Sequence, residues 1–257
     1  MLLTIDVGNT NTVLGVFDGK THIHNWRIRS DKNMTEDEFH VFARNLFRES
    51  GIDMANLDHT IIACVVPRMM MILEAFCVKY LNHKPIWVDA KTVSSIMPIL
   101  YSNPSEVGAD RIVNAIAAFE RYKRALIVID FGTATTFDVI TQKGEYLGGA
   151  ISPGIMIASE ALFANASKLP RVEIFSPPET AIGKDTASSM KSGIIFGYAG
   201  LVDGMVTRIK REMEDTPYVV ATGGLAPLIS HVSETIEAVD GAMTLEGLRI
   251  IFDRMER

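Results

Sequence analysis

The chain has 257 residues, of which 47% are hydrophobic, and carries a formal net charge of −6 at pH 7. A chain of this length can bury a large core, either as one compact unit or as two subdomains. The acidic balance argues against a sequence-independent nucleic-acid surface. No uncharged apolar stretch is long enough to span a membrane, and the amino terminus lacks the basic segment of a signal peptide. We therefore expect a globular, cytoplasmic protein with neither nucleic acid nor membrane as a partner.

A β-hairpin with a polar tip is predicted at the amino terminus. Apolar residues 2–5 lead into the segment 6–12 (DVGNTNT), and apolar residues 13–17 lead out of it. Asp18-Gly19 then forms a favoured hairpin turn before a third strand at 21–28. The pattern predicts a three-stranded antiparallel start to the fold.

The tip of this hairpin has the chemistry of a phosphate site. Gly8 lets the backbone approach a ligand closely, and the neighbouring Asn and Thr side chains donate hydrogen bonds without adding charge. Asp6 is compatible with a bound phosphate only if a cation lies between them, either magnesium carried by a nucleotide or a monovalent ion. In a single copy, an acid before such a turn is more commonly structural.

The next segment alternates helices and strands. Thr35 to Glu38 form a capping box for a helix that ends near Gly51, a buried strand is expected at 60–66, and Pro67 opens a second helix before a short strand at 86–88. The inward faces of the two helices are predicted to carry Phe39, Phe42, Ala43, Leu46 and Phe47, and Met70, Leu73, Phe76 and Cys77. Cys64 and Cys77 lack metal or redox spacing, so we interpret them as reduced core thiols.

The segment 101–111 (YSNPSEVGADR) brings an acid and a base to the start of an apolar helix. Asp110 could be only the N-cap of this helix, a role that Asp fills well. Alternatively, Asp110 could accept a proton from a substrate hydroxyl while Arg111 holds an anionic substrate. The local pattern leaves both interpretations open.

A second polar hairpin repeats the first one at the middle of the chain. Residues 125–129 lead into segment 129–136 (IDFGTATT), residues 135–140 lead out, and Lys143-Gly144 turns the chain into a strand at 145–150. A repeat of this length, once per half, indicates duplication of a whole subdomain. Because the acid recurs, we interpret both Asp6 and Asp130 as ligands on the cation side of a nucleotide.

The remaining elements are predicted to be helical, with one strand. A tight connection at 148–154 precedes a helix at 155–165, and a long helix is expected at 188–214. Gly193, Gly197, Gly200 and Gly204 form a stripe along it, which we interpret first as buried packing and second as a subunit interface. A strand at 218–221 enters Gly223-Gly224, a turn that either admits a flat adenine or ribose or is required sterically.

The motifs together resemble the type III pantothenate kinase family, within the acetate kinase, sugar kinase, Hsp70 and actin superfamily. The resemblance rests on segments 6–10, 108–111, 130–136, 148–154 and 222–224, and covers essentially the whole chain. It implies an α/β fold of two duplicated ribonuclease H-like subdomains, residues 1–118 and 119–257, each a mixed sheet with flanking helices. The sequence contains neither a Walker A pattern nor G-x-G-x-x-G.

The resemblance also implies the activity, which is ATP-dependent phosphorylation of pantothenate, the first step of coenzyme A synthesis. Asp110 is then the general base, and Asp130 holds potassium or ammonium. The ATP phosphates are contacted by Asp6, Val7, Gly8, Asn9, Thr10, Asn11, Thr12, Val13 and Thr133. Pantothenate is contacted by Tyr101, Gly108, Ala109, Asp110, Arg111 and Thr186. Members of the family form homodimers, and the resemblance implies that Thr186 reaches the pantothenate site from the second subunit.

Two other functions are compatible with parts of the pattern. Relatives of this family have been associated with accessory roles in transcription, so a nucleotide-binding regulator is one alternative. The acidic balance and the presence of Asp110 weigh against it. A sugar or acetate kinase is the other, but the chain has no additional sugar-binding insert.

Overall fold

The structure, a computed structural model, describes residues 1–166 and 169–255. Its strands and helices in chain order are β1 (Leu2–Val7), β2 (Asn11–Asp18), β3 (Thr21–Arg29), α1 (Glu36–Glu49), β4 (His59–Cys64), α2 (Pro67–Phe76), β5 (Ile86–Trp87), α3 (Ala109–Tyr122), β6 (Leu126–Phe131), β7 (Ala134–Ile140), β8 (Tyr146–Pro153), α4 (Ile155–Asn165), α5 (Thr186–Glu212), β9 (Tyr218–Thr222), α6 (Ala226–Ser230), β10 (Ala238–Val239) and α7 (Met243–Met255). A π-helical turn, Cys77–Leu81, continues α2, and short 3₁₀ turns lie at Met54–Asn56 and Pro104–Glu106. None of the helices among the described residues is both long and apolar enough to cross a membrane.

The chain divides into two compact units. The first contains Met1–Ala117 and the C-terminal segment that begins at Met243, and the second contains Ala118–Ala242. The sequence-based division at 118/119 falls one residue away, but it assigned the C-terminal segment to the second half. The segment joins the first unit because α7 packs against β1, β2 and β4.

Each unit is built on a five-stranded mixed sheet. The strand order is β3-β2-β1-β4-β5 in the first unit and β10-β9-β6-β7-β8 in the second. In both sheets the central strand pairs antiparallel with the next strand of the chain, which pairs antiparallel with a third. On its other side the central strand pairs with a parallel strand. The two orders are therefore the same topology, as the predicted duplication requires.

Local signals explain where several helices start. Thr35 caps α1 because its hydroxyl accepts a hydrogen bond from the Glu38 N–H at 3.2 Å. In the reciprocal bond, the Thr35 N–H donates to the Glu38 carboxylate at 2.8 Å. Asp185 caps α5 in the same way with Ser188. The predicted capping box at residue 35 is confirmed, whereas the start of α5 lies two residues earlier than residue 188.

Some predicted core positions are wrong by one residue or one face. Met69, not Met70, is the buried methionine of α2, and Phe42 on α1 is 46% exposed. The inward face of each helix is set by the sheet it covers, since Phe39 and Phe47 of α1 pack with the strand residues of the first unit. Apolar periodicity gives the approximate direction of that face, but adjacent apolar residues such as Met69 and Met70 are too close in sequence for the pattern to decide which one is buried.

Candidate active site

The polar tip of the first hairpin is held by its own backbone and by Ser30. The Gly8 N–H donates to the Asn11 carbonyl at 3.0 Å and closes a three-residue loop. Ser30, which follows β3, donates its hydroxyl to the Gly8 carbonyl at 2.7 Å and its N–H to the Thr10 carbonyl at 3.0 Å. The side chains of Asn9, Thr10 and Asn11 remain exposed. The tip is thus a rigid turn with outward-facing amide and hydroxyl groups.

Asp6 lies at the end of the central strand of the first sheet. It pairs with Val13 of β2 and with Ala63 of β4, so its side chain is next to the carboxyl end of β4. Burial raises the pKa of the Cys64 thiol there, and the negative charge of Asp6 raises it further. The thiol is therefore a weak nucleophile at neutral pH.

Asp110 is the second residue of α3 and is not its N-cap. The Ile112 N–H donates to the Gly108 carbonyl at 3.1 Å, which makes Gly108 the N-cap residue and Ala109 the first residue of the helix. Asp110 Oδ1 accepts a hydrogen bond from the Arg111 N–H at 2.8 Å. Burial raises the pKa of the Asp110 carboxyl, while this bond and the Arg111 charge act in the opposite direction. A half-buried carboxylate with a raised pKa is suited to accept a proton.

Gly108 is required for the position of this carboxylate. A Cβ added to Gly108 would lie 2.6 Å from Asp110 Oδ1 and 3.7 Å from Val65 Cγ1. Val65 in turn donates its N–H to the Val7 carbonyl at 3.1 Å. The Asp110 carboxylate therefore lies in the first unit near the ends of β1 and β4, at the sheet edge that also carries Asp6.

The other predicted substrate residues surround the start of α3 to different extents. Ala109 and Arg111 are 8% exposed, and Tyr101 is 36% exposed in the segment that leads to α3. The flanking residues Ile112, Val113, Ile116 and Ala117 are buried as predicted. α3 is buried on nearly all sides between residues 111 and 118, so its start is held firmly.

The tip of the second hairpin is one residue shorter and is covered by a glycine. The Gly132 N–H donates to the Ala134 carbonyl at 3.0 Å, so only Gly132 and Thr133 form the loop. The N–H of Gly154, the first residue before α4, donates to the Thr133 carbonyl at 3.1 Å. A Cβ at Gly154 would lie 2.6 Å from the Gly132 carbonyl oxygen and closer still to that of Thr133. The backbone at Gly154, at the end of the predicted connection 148–154, thus lies in close contact with the tip.

Asp130 lies against a second glycine. Gly223 has φ +91°, and a Cβ there would lie 2.6 Å from Asp130 Oδ1 and 2.7 Å from the Phe131 carbonyl oxygen. The glycine after β9 is therefore required sterically, one of the two explanations left open by the sequence. The Asp130 carboxylate oxygen and the Phe131 carbonyl oxygen therefore both lie next to Gly223.

Polar residues that the sequence analysis did not select continue from Asp130. Thr136 is directly opposite Asp130 on β7. Its hydroxyl donates to Asp138 Oδ2 at 3.2 Å, and the Tyr146 hydroxyl donates to Asp138 Oδ1 at 2.7 Å. Asp138 and Tyr146 are fully buried. The sequence signal for this group was Asp138, a charged residue in a strand that is mostly apolar. Because side chains alternate along a strand, Asp138 would have been expected on the same face as Thr136.

Oxygen atoms dominate the chemistry that both hairpins offer to a cation. Among residues 1–166 and 169–255, no group of three or more His, Cys, Asp or Glu side chains could hold a metal ion. Carboxylate, carbonyl and hydroxyl oxygens are the ligands of hard cations, so the residues at Asp130 fit a hard cation and do not resemble a zinc or copper site.

Thr186 lies in the second unit beside an open groove. It is the exposed first residue of α5 and lines a cavity of about 1050 Å³ between α4 and α5. Gly193, Gly197 and Gly200 are exposed, and a Cβ on any of them would meet no atom within 4 Å. The expected buried packing of this glycine stripe is therefore wrong, because no element of the described chain covers it.

The two duplicated sheets and their polar hairpin tips define a protein of the sugar-kinase and actin-like fold class. A solved glucomannokinase from Arthrobacter that uses inorganic polyphosphate or ATP aligns with a TM-score of 0.51 at 12% identity, covering 99% of this chain and 98% of that chain. Such a likeness establishes two duplicated ribonuclease H-like subdomains and no more than the fold.

Closer relatives identify the family. The family model for type III pantothenate kinase matches residues 2–208. A type III pantothenate kinase of Desulfatibacillum aliphaticivorans is 68% identical over 99% of both chains, and one of Desulforapulum autotrophicum is 63% identical over 99% of this chain and 97% of its own. The chain belongs to the type III pantothenate kinase family. Its activity is the ATP-dependent phosphorylation of pantothenate to 4′-phosphopantothenate, the first step of coenzyme A biosynthesis.

Proposed function

We propose that Asp110 is the general base of this phosphoryl transfer. The primary hydroxyl of pantothenate attacks the γ-phosphorus of ATP, its proton passes to the Asp110 carboxylate, and ADP leaves. The observation that supports this assignment is the position of the half-buried Asp110 carboxylate at the sheet edge that also carries the first polar tip. A base with a raised pKa holds the proton more firmly as it is transferred, and such catalysis typically contributes about 10²- to 10⁴-fold.

The first hairpin is proposed to bind the ATP phosphates. Residues Asp6 to Val13 supply a turn whose backbone is held by Ser30 and whose outward side chains are neutral donors. Thr133 is the corresponding exposed tip residue of the second unit and is proposed as a further phosphate contact. Phosphoryl transfer depends mainly on positioning and charge neutralisation, which rigid polar turns can provide.

Two cations are proposed to accompany ATP. Mg²⁺ enters with the nucleotide, and a monovalent ion, potassium or ammonium, is held by Asp130. When bound, these ions neutralise phosphate charge that the carboxylates alone would repel. The support for Asp130 is its carboxylate oxygen beside the Phe131 carbonyl at Gly223.

Pantothenate is proposed to lie against the start of α3. Tyr101, Gly108, Ala109, Asp110 and Arg111 are the residues of one subunit that would contact it. The guanidinium of Arg111 can pair with the substrate carboxylate, since Arg binds carboxylates through two parallel hydrogen bonds. Its low exposure would strengthen such a pairing by excluding water.

We further propose a homodimer in which Thr186 of the partner subunit contacts pantothenate. The support is the uncovered face of the second unit, where the glycine stripe of α5 and Leu162 of α4, which is 40% exposed, line an open groove. Contiguous exposed apolar surface of this kind marks an interaction site. Cys64 and Cys77 are both free thiols, which favours a reducing cytoplasmic location.

The dimer proposal can be tested by a charge on the stripe. Gly197→Glu should leave the protomer folded, because its Cβ meets no atom within 4 Å, but should produce monomers in sedimentation velocity. Gly241→Glu is the matched control, since Gly241 also has open surroundings and lies in a turn outside α5. A Gly197→Glu protein that remains dimeric would rule out this face as the interface.

The function itself is tested by ADP release. Wild-type protein with ATP and Mg²⁺ should release ADP in the presence of pantothenate and not in its absence, and the product should be 4′-phosphopantothenate by mass spectrometry. A panel of sugars and acetate serves as the acceptor control. ADP release that is independent of pantothenate, or greater with another acceptor, would contradict the proposal.

A further inference from the structure

The face of the second sheet that carries Asp130 contains a row of polar side chains that the mechanism does not yet use. Residues directly opposite on antiparallel strands point to the same face, as do residues two apart on one strand. Asp130 and Thr136 are opposite partners, and Asp138 is two residues beyond Thr136. The row therefore runs from the hairpin tip at Asp130 into the buried interior at Tyr146.

The direction of the hydrogen bonds in this row determines which partners the Thr136 hydroxyl can still bind. A threonine hydroxyl has one proton and two lone pairs. The proton of Thr136 is donated to Asp138 Oδ2, and the other carboxylate oxygen accepts the Tyr146 hydroxyl. The Thr136 oxygen can then offer only lone pairs to a further partner. An oxygen oriented in this way can coordinate a cation or accept a hydrogen bond, but it has no proton left to donate.

The first unit provides an internal comparison. There Asp6 is opposite Val13, and the position equivalent to Asp138 is Gly15, opposite Thr4. A Cβ at Gly15 would lie 2.7 Å from Thr4 Oγ1 and 2.9 Å from Leu245 Cδ1, so no larger side chain fits without rearrangement. The β2 positions that correspond to Thr136 and Asp138 therefore carry neither a hydroxyl nor a carboxylate, although the two hairpins share their register.

From this asymmetry we propose that Thr136 is a second oxygen ligand of the monovalent cation at Asp130, and that Asp138 and Tyr146 are positioning residues that orient its hydroxyl. The proposal rests on the proposed cation site and extends it to three residues without an assigned role. It also explains physically why the second hairpin, and not the first, would bind the monovalent ion.

The test measures potassium binding separately from turnover. The melting temperature of each protein is followed with a non-hydrolysable ATP analogue and Mg²⁺, while potassium chloride replaces sodium chloride at constant ionic strength. A ligand that binds only the folded state raises the melting temperature by mass action. The half-saturating potassium concentration is then measured in the ADP-release assay.

Thr136→Val removes the hydroxyl and keeps the side-chain shape. We expect it to lose most of the potassium-dependent rise in melting temperature and to raise half-saturating potassium by about 10- to 100-fold, the usual effect of losing a metal's supporting groups. Asp138→Asn should raise half-saturating potassium by roughly tenfold. Thr136→Ser should restore the wild-type requirement because it keeps the hydroxyl.

The matched control is Thr4→Val in the first sheet. Thr4 is also a buried sheet threonine, and its hydroxyl donates to the Gly15 carbonyl at 3.1 Å. Its loss should change the melting temperature in sodium chloride but not the potassium response. A Thr136→Val protein with the wild-type potassium response would overturn the proposal. Wild-type turnover that is equal in potassium and sodium would also overturn it and leave the kinase function intact, whereas absent turnover would contradict the function alone.

Discussion

The two polar hairpins are built on the same backbone register but offer different chemistry. The first has a three-residue loop held by Ser30, and its buried Thr12 hydroxyl lies 2.9 Å from that of Ser30. The second has a two-residue loop closed over by Gly154, and its equivalent hydroxyl, on Thr135, is buried without a hydrogen-bond partner among the described residues. Duplication therefore preserved the sheet and allowed the tips to diverge.

The divergence depends on single positions opposite and beside each strand-ending acid. Val13 and Gly15 in the first unit correspond to Thr136 and Asp138 in the second. Gly15 is small because α7 packs there, through Leu245. The two β2 positions thus supply no side-chain oxygen, whereas the corresponding β7 positions carry a hydroxyl and a carboxylate.

The largest expected effect concerns the first unit, which alone carries the proposed base. Asp110→Asn keeps the side-chain shape but removes the proton acceptor, so kcat should fall by about 10²- to 10⁴-fold. The ADP-release assay measures it, and circular dichroism and sedimentation verify that fold and assembly are retained. A turnover close to wild type would remove Asp110 from the mechanism.

A smaller effect, on the potassium requirement, should distinguish Asp130 from Asp6. Asp130→Asn should raise half-saturating potassium by roughly 10- to 100-fold, as expected for loss of a cation's binding groups. Asp6→Asn should lower activity without changing the potassium requirement, because the residue opposite Asp6 is Val13, which has no hydroxyl to offer a cation. Equal potassium effects in the two variants would show that the hairpins are not specialised in this way.

Two glycines with left-handed backbone test how closely the second tip is packed. Gly223→Ala should destabilise the fold by about 1–3 kcal/mol, the usual cost of overpacking, since its Cβ would overlap Asp130 Oδ1 and the Phe131 carbonyl. Gly19→Ala controls for the left-handed strain alone, because Gly19 has φ +55° and no atom near its Cβ. Urea unfolding gives both values, and equal losses would contradict a steric role for Gly223.

The smallest expected effect is on pH dependence and stability. Because burial raises the pKa of Asp110, the acid limb of the kcat profile should lie at higher pH than for an ordinary aspartate. A carboxyl whose pKa is raised on folding stabilises the fold below its unfolded pKa, and this contribution is lost as pH rises through the folded pKa. Asp110→Asn should therefore be slightly more stable than wild type at neutral pH, with no such advantage in acid. Thermal melts at both pH values test the sign.

Much of the fold was predictable because its signals are local. The two hairpins, the Thr35 capping box and helix 155–165 follow from turn residues, capping groups and apolar runs that act within a few residues. The family resemblance rested on short segments of the same kind. The potential functional acids Asp6, Asp110 and Asp130 were found for this reason, each beside a glycine turn or a helix start.

The contacts that give those acids their environment were decided by tertiary structure. Sequence spacing could not place α7 on the first sheet, expose the glycine stripe of α5, or bring Gly223 against Asp130, since each pairing joins residues far apart in the chain. The chain by itself determined which residues carry charge and where strands turn. Which of those charges are buried, and which acid gains oxygen neighbours, depended on strand register and on the packing that fills each face of the sheets.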